Sequence, residues 1–379
     1  MPAHDPPHHP SWHPAPIPTS WDDLLTDVAS QADWARKRPL VRARFLELIR
    51  DEAAPPAPAD PQVRLEREWD GGGFRIEYIS YQVESDERAH AYVGIPQTPV
   101  PDGGLPGVVC LHGTTNWGAR RTLGLPPEPG DPHAGKDGVQ GKDYARQLVR
   151  RGYVTISPEH FCAASRLPAE GPYDTAAFYR RHPDWSAVGK YIHDSRVACT
   201  VLAGRPEVNG DRLGVTGHSL GGHGSIWLAA YDERIRCAAP SCSGLTFREN
   251  PEPLHWSRDY WYVYFPQLRE LFLAGDRVQC DFHEMMALIA PRPLLERFAL
   301  NDGDATGQAH RVMLHLKLRE LYRLLGYEPA HAFLVFGDGH FIPDLSSAAL
   351  LSWMDRWLKH DGDPLGGWDS RLAQTGAAV

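Results

Sequence analysis

The pattern of hydrophobic and polar residues changes along the chain, and the change predicts two kinds of sheet. Residues 63–69, 74–83 and 89–95 alternate apolar with polar side chains, which is typical of antiparallel strands with one exposed face. From residue 107 onward, short continuously apolar runs alternate with helical patterns, as in a parallel sheet that is buried on both faces. We therefore predict an α/β fold with a doubly wound, mostly parallel sheet of about eight strands.

The same patterns locate the remaining elements. Apolar runs predict further strands at residues 107–111, 153–157, 212–217, 235–239, 293–300 and 332–336. Helical spacing predicts helices at residues 142–151, 188–202, 220–231, 308–325 and 345–359. Ahead of the sheet, helical spacing runs from Trp21 to Glu52, and Pro39 predicts a break between two helices. No internal repeat is visible in the sequence.

Composition excludes several classes of protein. Lys and Arg number 39 against 48 Asp and Glu, and no basic block could follow a phosphate backbone, so we expect no nucleic-acid partner. The first 20 residues lack an apolar run, and no stretch reaches the roughly 18 apolar residues of a membrane span, so we expect no membrane association and a cytoplasmic location. The six cysteines lack CxxC spacing and are expected to be free thiols, neither disulfides nor metal ligands.

A serine between glycines marks the candidate nucleophile. Residues 217–221 read Gly-His-Ser-Leu-Gly, with a predicted strand before them and an apolar helix after them. This is the nucleophile elbow pattern, in which small residues at 217 and 221 permit a sharp turn that exposes the hydroxyl of Ser219. The alternative, an ordinary glycine-rich helix start, is less consistent with this strand-turn-helix context.

A serine hydroxyl needs a base, which in this arrangement follows the last strand of the sheet. His340 occupies that position, after residues 332–336 and a Gly-Asp-Gly turn. The third member should be a carboxylate after the preceding strand, where Asp302 and Asp304 both lie, and we favour Asp302 because it directly follows the apolar run. The chain order Ser219, Asp302, His340 matches the order that this arrangement requires.

Two backbone N–H groups are expected to stabilise the oxyanion of an acyl-transfer reaction. Leu220, directly after the serine, offers the first, and Thr114, in the His-Gly-Thr-Thr segment that ends a strand, offers the second. His112 opens that segment, and we expect it to hydrogen-bond to the loop backbone rather than act as a base.

These motifs resemble those of the acetyl-xylan-esterase-like and dienelactone-hydrolase-like branch of the α/β-hydrolases. The resemblance covers roughly residues 105 to 360 and includes the segments 110–115, 151–154, 217–222, 281–284 and 288–293. It implies an α/β-hydrolase fold, an esterase acting on a carbohydrate or small-molecule ester, and an acid on the strand that the Ala-Pro-Arg-Pro segment precedes. The related glucuronoyl esterases carry an arginine directly after the serine, whereas this chain has Leu220, which argues against a uronate ester.

Neither a metal nor a cofactor is expected. Residues 281–284 resemble the start of a zinc HExxH motif, but position 287 is alanine, so a structural role is expected for this segment. The N-terminal histidines at positions 4, 8, 9 and 13 lie among prolines, which prevent a fixed ligand geometry.

The predicted organisation places a lid over the site. We expect a disordered tail over residues 1–20, a helical extension and linker over 21–60, a catalytic domain over 61–362 and a C-terminal tail over 363–379. Residues 243–281 form a long aromatic-rich insertion, in which Trp256, Trp261 and Tyr262 could stack on a sugar or aryl group. Trp117 could form the opposite rim with the stretch that follows it. Equally, the lid could bury its aromatic face on the body.

The sequence therefore predicts a serine esterase that works through an acyl-enzyme on Ser219. A peptidase or amidase of the same fold and a catalytically silent binding protein are the alternatives. The sequence contains neither an N-terminal propeller domain nor an acidic pair suited to an N-terminal amine, which disfavours the first alternative. The complete Ser219, Asp302 and His340 set disfavours the second. Acyl group, alcohol and oligomeric state are left open.

Overall fold

The computed structural model describes residues 17–126, 141–248, 253–303 and 305–359. These residues form one nine-stranded sheet with helices on both faces. The strands are β1 (Arg64–Asp70), β2 (Phe74–Glu84), β3 (Glu87–Pro96), β4 (Leu105–Leu111), β5 (Val154–Pro158), β6 (Val208–His218), β7 (Ile235–Ser241), β8 (Leu294–Ala299) and β9 (His331–Phe336). The helices are α1 (Gln31–Leu48), α2 (Gly118–Thr122), α3 (Tyr144–Arg150), α4 (Ala176–Arg181), α5 (Ala187–Ala203), α6 (Leu220–Tyr231), α7 (Leu268–Ala274), α8 (Phe282–Ala287), α9 (Ala305–Leu324) and α10 (Asp344–Leu358).

The strand order is β1-β2-β3-β5-β4-β6-β7-β8-β9. The pairs among β1, β2, β3 and β5 in this order are antiparallel, and all pairs from β5 to β9 are parallel. The predicted change from antiparallel to parallel pairing is thus confirmed, with nine strands in place of about eight. The exposed face predicted for the antiparallel strands is found only at the edge strand β1, because β2 and β3 are covered on both faces. Strand β4 is buried throughout, as its continuous apolar run requires.

The predicted break at Pro39 is wrong. One helix, α1, runs through Pro39, while the apolar residues before it lie in turns. An interior proline costs about 3 kcal/mol because it removes a backbone hydrogen bond. Burial of Trp34, Val41, Phe45 and Leu48 against the body offsets this cost.

The N-terminal strap, residues 17–20, packs on the body, although these residues were assigned to a disordered tail. Thr19 pairs with Val278 in a β-bridge, and Ile17 is buried. The rest of that predicted tail, residues 1–16 with its histidines, and the C-terminal tail, residues 363–379, lie outside the described residues. Within the described ranges, no helix combines the length and hydropathy needed to cross a membrane.

The segment 281–284 joins the strap, the lid and the body. Asp281 caps α8 through a capping box with Glu284 and accepts hydrogen bonds from the backbone N–H groups of Phe282 and Phe247. The Ser20 hydroxyl donates to the Glu284 carboxylate. The structural role expected for this segment therefore agrees with its contacts.

Glu284 makes the stability of this junction depend on pH. Burial, assisted by the nearby Asp281 carboxylate, raises the pKa of Glu284 from 4.5 to about 7 against the opposing hydrogen bonds from Ser20 and Asp281. Between these two values the folded chain keeps a proton that the unfolded chain has lost. The free energy of unfolding should therefore fall as pH rises from about 4.5 to about 7.

Glu284→Gln should remove that loss while keeping an oxygen that can accept from Ser20. Urea unfolding on either side of this pH window should show wild type losing on the order of 1–3 kcal/mol more than the variant. The exposed Glu270→Gln is the matched control and should follow wild type. Parallel pH dependences of Glu284→Gln and wild type would contradict the explanation.

Candidate active site

The turn between β6 and α6 presents Ser219 in a strained backbone conformation. Ser219 has φ 59° and ψ −123°, a backbone conformation that residues other than glycine rarely adopt. A Cβ at position 217 would lie 2.2 Å from the carbonyl oxygen of Gly221, and one at position 221 would lie 1.9 Å from that of Leu111. Both glycines are therefore needed, as the elbow pattern predicts.

Asp302 and His340 meet from two neighbouring loops. Asp302 follows β8, His340 follows β9, and the His340 Nδ1 lies 2.8 Å from the Asp302 Oδ2. The Asn301 side chain supports this geometry by accepting a hydrogen bond of 2.9 Å from the Gly339 N–H. Asp304, the alternative acid, lies outside the described residues.

Asp302 and His340 shift each other's pKa values. Burial alone would raise the pKa of Asp302, but the hydrogen bond with His340 and its positive charge hold that pKa below its ordinary value. Burial lowers the pKa of His340, but hydrogen bonds to Asp302 and Cys242 outweigh it and raise the pKa to about 9. Asp302 thus stabilises the imidazolium form of His340, which is the form created when the histidine accepts a proton.

The loop after β4 is held by buried side chains. The Tyr173 hydroxyl accepts from the Thr115 N–H at 3.1 Å and donates toward the Thr115 carbonyl at 3.0 Å. The His112 Nδ1 lies 2.8 Å from the Gly113 carbonyl, in keeping with the expected backbone role. Because a Cβ at Gly118 would lie 2.1 Å from the His112 ring, a glycine is required where the loop packs on this histidine.

One open cleft brings several of the predicted site residues together. Ser219, His340 and Thr114 all line it, and Leu220 follows Ser219 as the first residue of α6. The other lining residues are His112, Gly113, Thr115, Gly118, Arg121, Thr122, Lys142, Tyr144 and His218. This set includes two cationic side chains, Arg121 and Lys142.

The aromatic residues proposed as substrate contacts do not line this cleft. Trp256 and Tyr262 are buried inside the structure, where Trp256 contacts Trp227 and Phe282 and the Tyr262 hydroxyl lies 2.9 Å from the His160 Nε2. The indole N–H of Trp261 donates to the Pro172 carbonyl.

Trp117 precedes α2 and, like them, does not line the cleft that the described residues form. Most aromatic side chains of the lid are therefore buried on the body, as the alternative interpretation expects, while Tyr260 is exposed. The four assignments, Trp117, Trp256, Trp261 and Tyr262, gain no support from the structure. Aromatic spacing in a sequence cannot distinguish a lid core from a sugar platform.

Three residues near the reacting groups were not singled out by sequence reasoning. His218 is buried with its ring centroid 4.7 Å from that of His340, and Cys242 follows β7 beside the Asp302 and His340 pair. Tyr173 holds the loop after β4 from a distant segment. Only the position of His218 next to Ser219 was a signal in the sequence, since the other two reach the site through folding.

Comparison with known proteins gives distant relatives. No family model matches the chain. It is 24% identical over 284 residues to "Putative hydrolase YtaP" of Bacillus subtilis, covering 75% of this chain and 88% of that protein. It is 26% identical over 152 residues to "Carbohydrate esterase MZ0003" from an unknown prokaryotic organism, covering 38% of this chain and 34% of that protein.

Solved structures agree on the fold. A glucuronoyl esterase from Solibacter usitatus superposes with a TM-score of 0.68 at 16% identity, covering 86% of this chain and 94% of its own. "Methylesterase BT1017" superposes with a TM-score of 0.65 at 16% identity, covering 92% of this chain and 71% of its own. The chain has the α/β-hydrolase fold, which confirms the fold predicted from the sequence.

Substitution can distinguish the two candidate acids, Asp302 and Asp304. Asp302→Asn should lower kcat for an ester substrate by on the order of 10³- to 10⁴-fold, because the amide cannot stabilise the imidazolium. Asp304→Asn is the matched control and should stay near the wild-type rate. Steady-state kinetics with p-nitrophenyl acetate measures both. A large loss in the control with normal activity in Asp302→Asn would reverse the assignment.

Proposed function

We propose that this protein hydrolyses carboxylic esters through an acyl-enzyme formed on Ser219. The observation that carries the proposal is the arrangement around one cleft: a serine on a strained turn and a histidine that is hydrogen-bonded to a carboxylate. The names of its relatives, a hydrolase and a carbohydrate esterase, support the same reaction type.

In the first half-reaction, His340 takes the proton from the Ser219 hydroxyl as the oxygen attacks the ester carbonyl. The backbone N–H groups of Leu220 and Thr114 stabilise the resulting oxyanion. Imidazolium His340, held by Asp302, then protonates the departing alkoxide, which leaves as the alcohol.

In the second half-reaction, a water molecule replaces the alcohol. His340 removes a proton from that water as its oxygen attacks the acyl carbon, and the same N–H groups stabilise the second oxyanion. When this intermediate collapses, His340 returns the proton to Ser219 and the carboxylic acid is released. No metal or cofactor enters either step as proposed.

The substrate that we propose is a carbohydrate ester or a small polar ester. Thr114, Thr115, Arg121 and Lys142 line the cleft beside Ser219. The two cationic side chains favour a substrate rich in hydroxyl groups over a long alkyl chain, because an alkyl chain would displace water from a charged group without replacing its hydrogen bonds. The glucuronoyl esterases share the fold, but Leu220 replaces their arginine.

Ser219→Ala should reduce turnover of p-nitrophenyl acetate by at least about 10⁴-fold, since the nucleophile is lost. It should also abolish covalent labelling by a fluorophosphonate probe. The exposed Ser85→Ala is the control and should retain both properties. Retention of wild-type turnover by Ser219→Ala would refute the proposal, and a wild-type chain that does not react with the probe would favour a silent binding protein.

A panel of esters should rank the substrate classes. We expect kcat/KM to be higher for acetylated sugars than for a methyl uronate, because Leu220 stands where the glucuronoyl esterases carry arginine. We also expect it to be higher than for long acyl chains, because the charged side chains of Arg121 and Lys142 line the cleft. Feruloyl esters and an aminoacyl anilide complete the panel. A methyl uronate as the best substrate would overturn the sequence argument from Leu220, and preference for the anilide would indicate a peptidase.

A further inference from the structure

Three side chains with nitrogen or sulfur donors converge at the candidate active site from separate parts of the chain. His218 ends β6, Cys242 follows β7, and His340 lies in the loop after β9. One donor atom from each lies within 4.8 Å of the other two. We call these three residues the soft-metal cluster.

The donor set is one that soft divalent cations prefer. Imidazole nitrogen and thiolate sulfur bind Zn²⁺ at about 2.0–2.1 Å and about 2.3 Å, in tetrahedral sites with an open fourth position when three ligands come from the protein. Donors around such an ion lie about 3.5 Å apart, so a contraction of about 1 Å would bring the cluster to that geometry. Thiolate also favours Cd²⁺ over hard cations such as Mg²⁺.

The surroundings of His218 leave a nitrogen suited to an ion. Its Nδ1 lies 3.2 Å from the Ser241 hydroxyl, whereas its buried Nε2 makes no hydrogen bond of good geometry within the described residues. Only 5% of the His218 surface is exposed.

The soft-metal cluster lies at the open cleft, next to buried and charged side chains. His218 and His340 both line the open cleft, so an ion can reach them from solvent. Cys242 is buried directly behind, with its thiol 3.9 Å from the Phe341 carbonyl. Lys142 and Arg121 line the same cleft, and their positive charge opposes cation entry, so the affinity for an ion must come from the imidazole and thiolate donors.

We propose that His218, Cys242 and His340 form a binding site for a soft divalent cation such as Zn²⁺ or Cd²⁺, and that a bound ion switches the enzyme off reversibly. On binding, the S–H bond of Cys242 breaks, its proton passes to water, and any proton on the ligating nitrogen of His340 leaves in the same way. No oxidation or reduction takes place. With its imidazole on the metal, His340 cannot accept the proton of Ser219. The inhibitory half of this proposal rests on the proposed function, whereas ion binding does not.

Cadmium binding tests the site without reference to activity. Chelator-treated full-length chain titrated with Cd²⁺ should develop the ultraviolet charge-transfer absorbance of a Cd–thiolate bond, saturating at one ion per chain. Cys242→Ala should lose this signal, and Cys199→Ala, which removes a buried thiol from α5, should keep it. Signal of wild-type size in Cys242→Ala, or no signal in wild type, would overturn the site.

Inhibition tests the switch. Zn²⁺ should inhibit p-nitrophenyl acetate hydrolysis by wild type, and a chelator should restore the rate. In Cys242→Ala the half-inhibitory Zn²⁺ concentration should rise at least about tenfold, since one of three ligands is lost. His218→Gln keeps all six thiols and should show the same rise in half-inhibitory concentration. Agreement between the two variants would show that the effect does not come from misfolding of one of them.

The possible failures are distinguishable. Equal inhibition of wild type and both variants would overturn the site, and Cd²⁺ binding without inhibition would overturn the switch. A chain that binds Cd²⁺ through Cys242 but hydrolyses no ester would support the metal site and refute the proposed function. Histidines of residues 1–16 can also bind ions, but they contribute no thiolate signal.

Discussion

The close approach of α6 to the end of β4 is the steric constraint on which the candidate site depends. At Gly221 the backbone passes so near the Leu111 carbonyl that a single added carbon would overlap it. This contact allows the chain to reverse within the few residues between β6 and α6, and the reversal forces the positive φ of Ser219. It also brings the first turn of α6 beside the loop after β4, so that Leu220 and Thr114 flank the same reacting carbonyl in the mechanism proposed here.

Two buried arginines hold the strands that deliver the other reacting groups. Arg297 donates to the carbonyls of Ala239 and Ser346, which ties β7 and α10 to β8. Arg292 donates to the carbonyls of Ala229 and Ile235, joining the end of α6 to the start of β7. Burial lowers the pKa of both to about 10, and the carbonyl partners compensate for the lost water. The strand ends beside Asp302 and Cys242 are thereby fixed relative to the elbow.

The aromatic residues of the lid contribute to packing, and other residues line the cleft, contrary to what the aromatic composition suggested. Trp256 stabilises the lid by packing on Trp227 of α6 and Phe282 of α8, whereas Arg121 and Lys142 line the cleft. Substrate recognition in this proposal therefore depends on hydroxyl groups and charges beside Ser219. His218 and Cys242 also lie around His340, so the proposed acyl transfer and the proposed ion response share one histidine.

Local pattern determined much of this protein. Alternating apolar and polar residues predicted the antiparallel part of the sheet, and continuous apolar runs predicted the parallel part, because strands of a parallel sheet are covered on both faces. Glycine spacing predicted the elbow, and chain order predicted the Asp302 and His340 contact. Only tertiary structure decided the course of the chain through Pro39, the burial of the lid aromatics and the meeting of Cys242 with His218. Each of these features depends on contacts between residues that are distant in sequence. The energies of such contacts cannot be inferred from the local spacing of residue types.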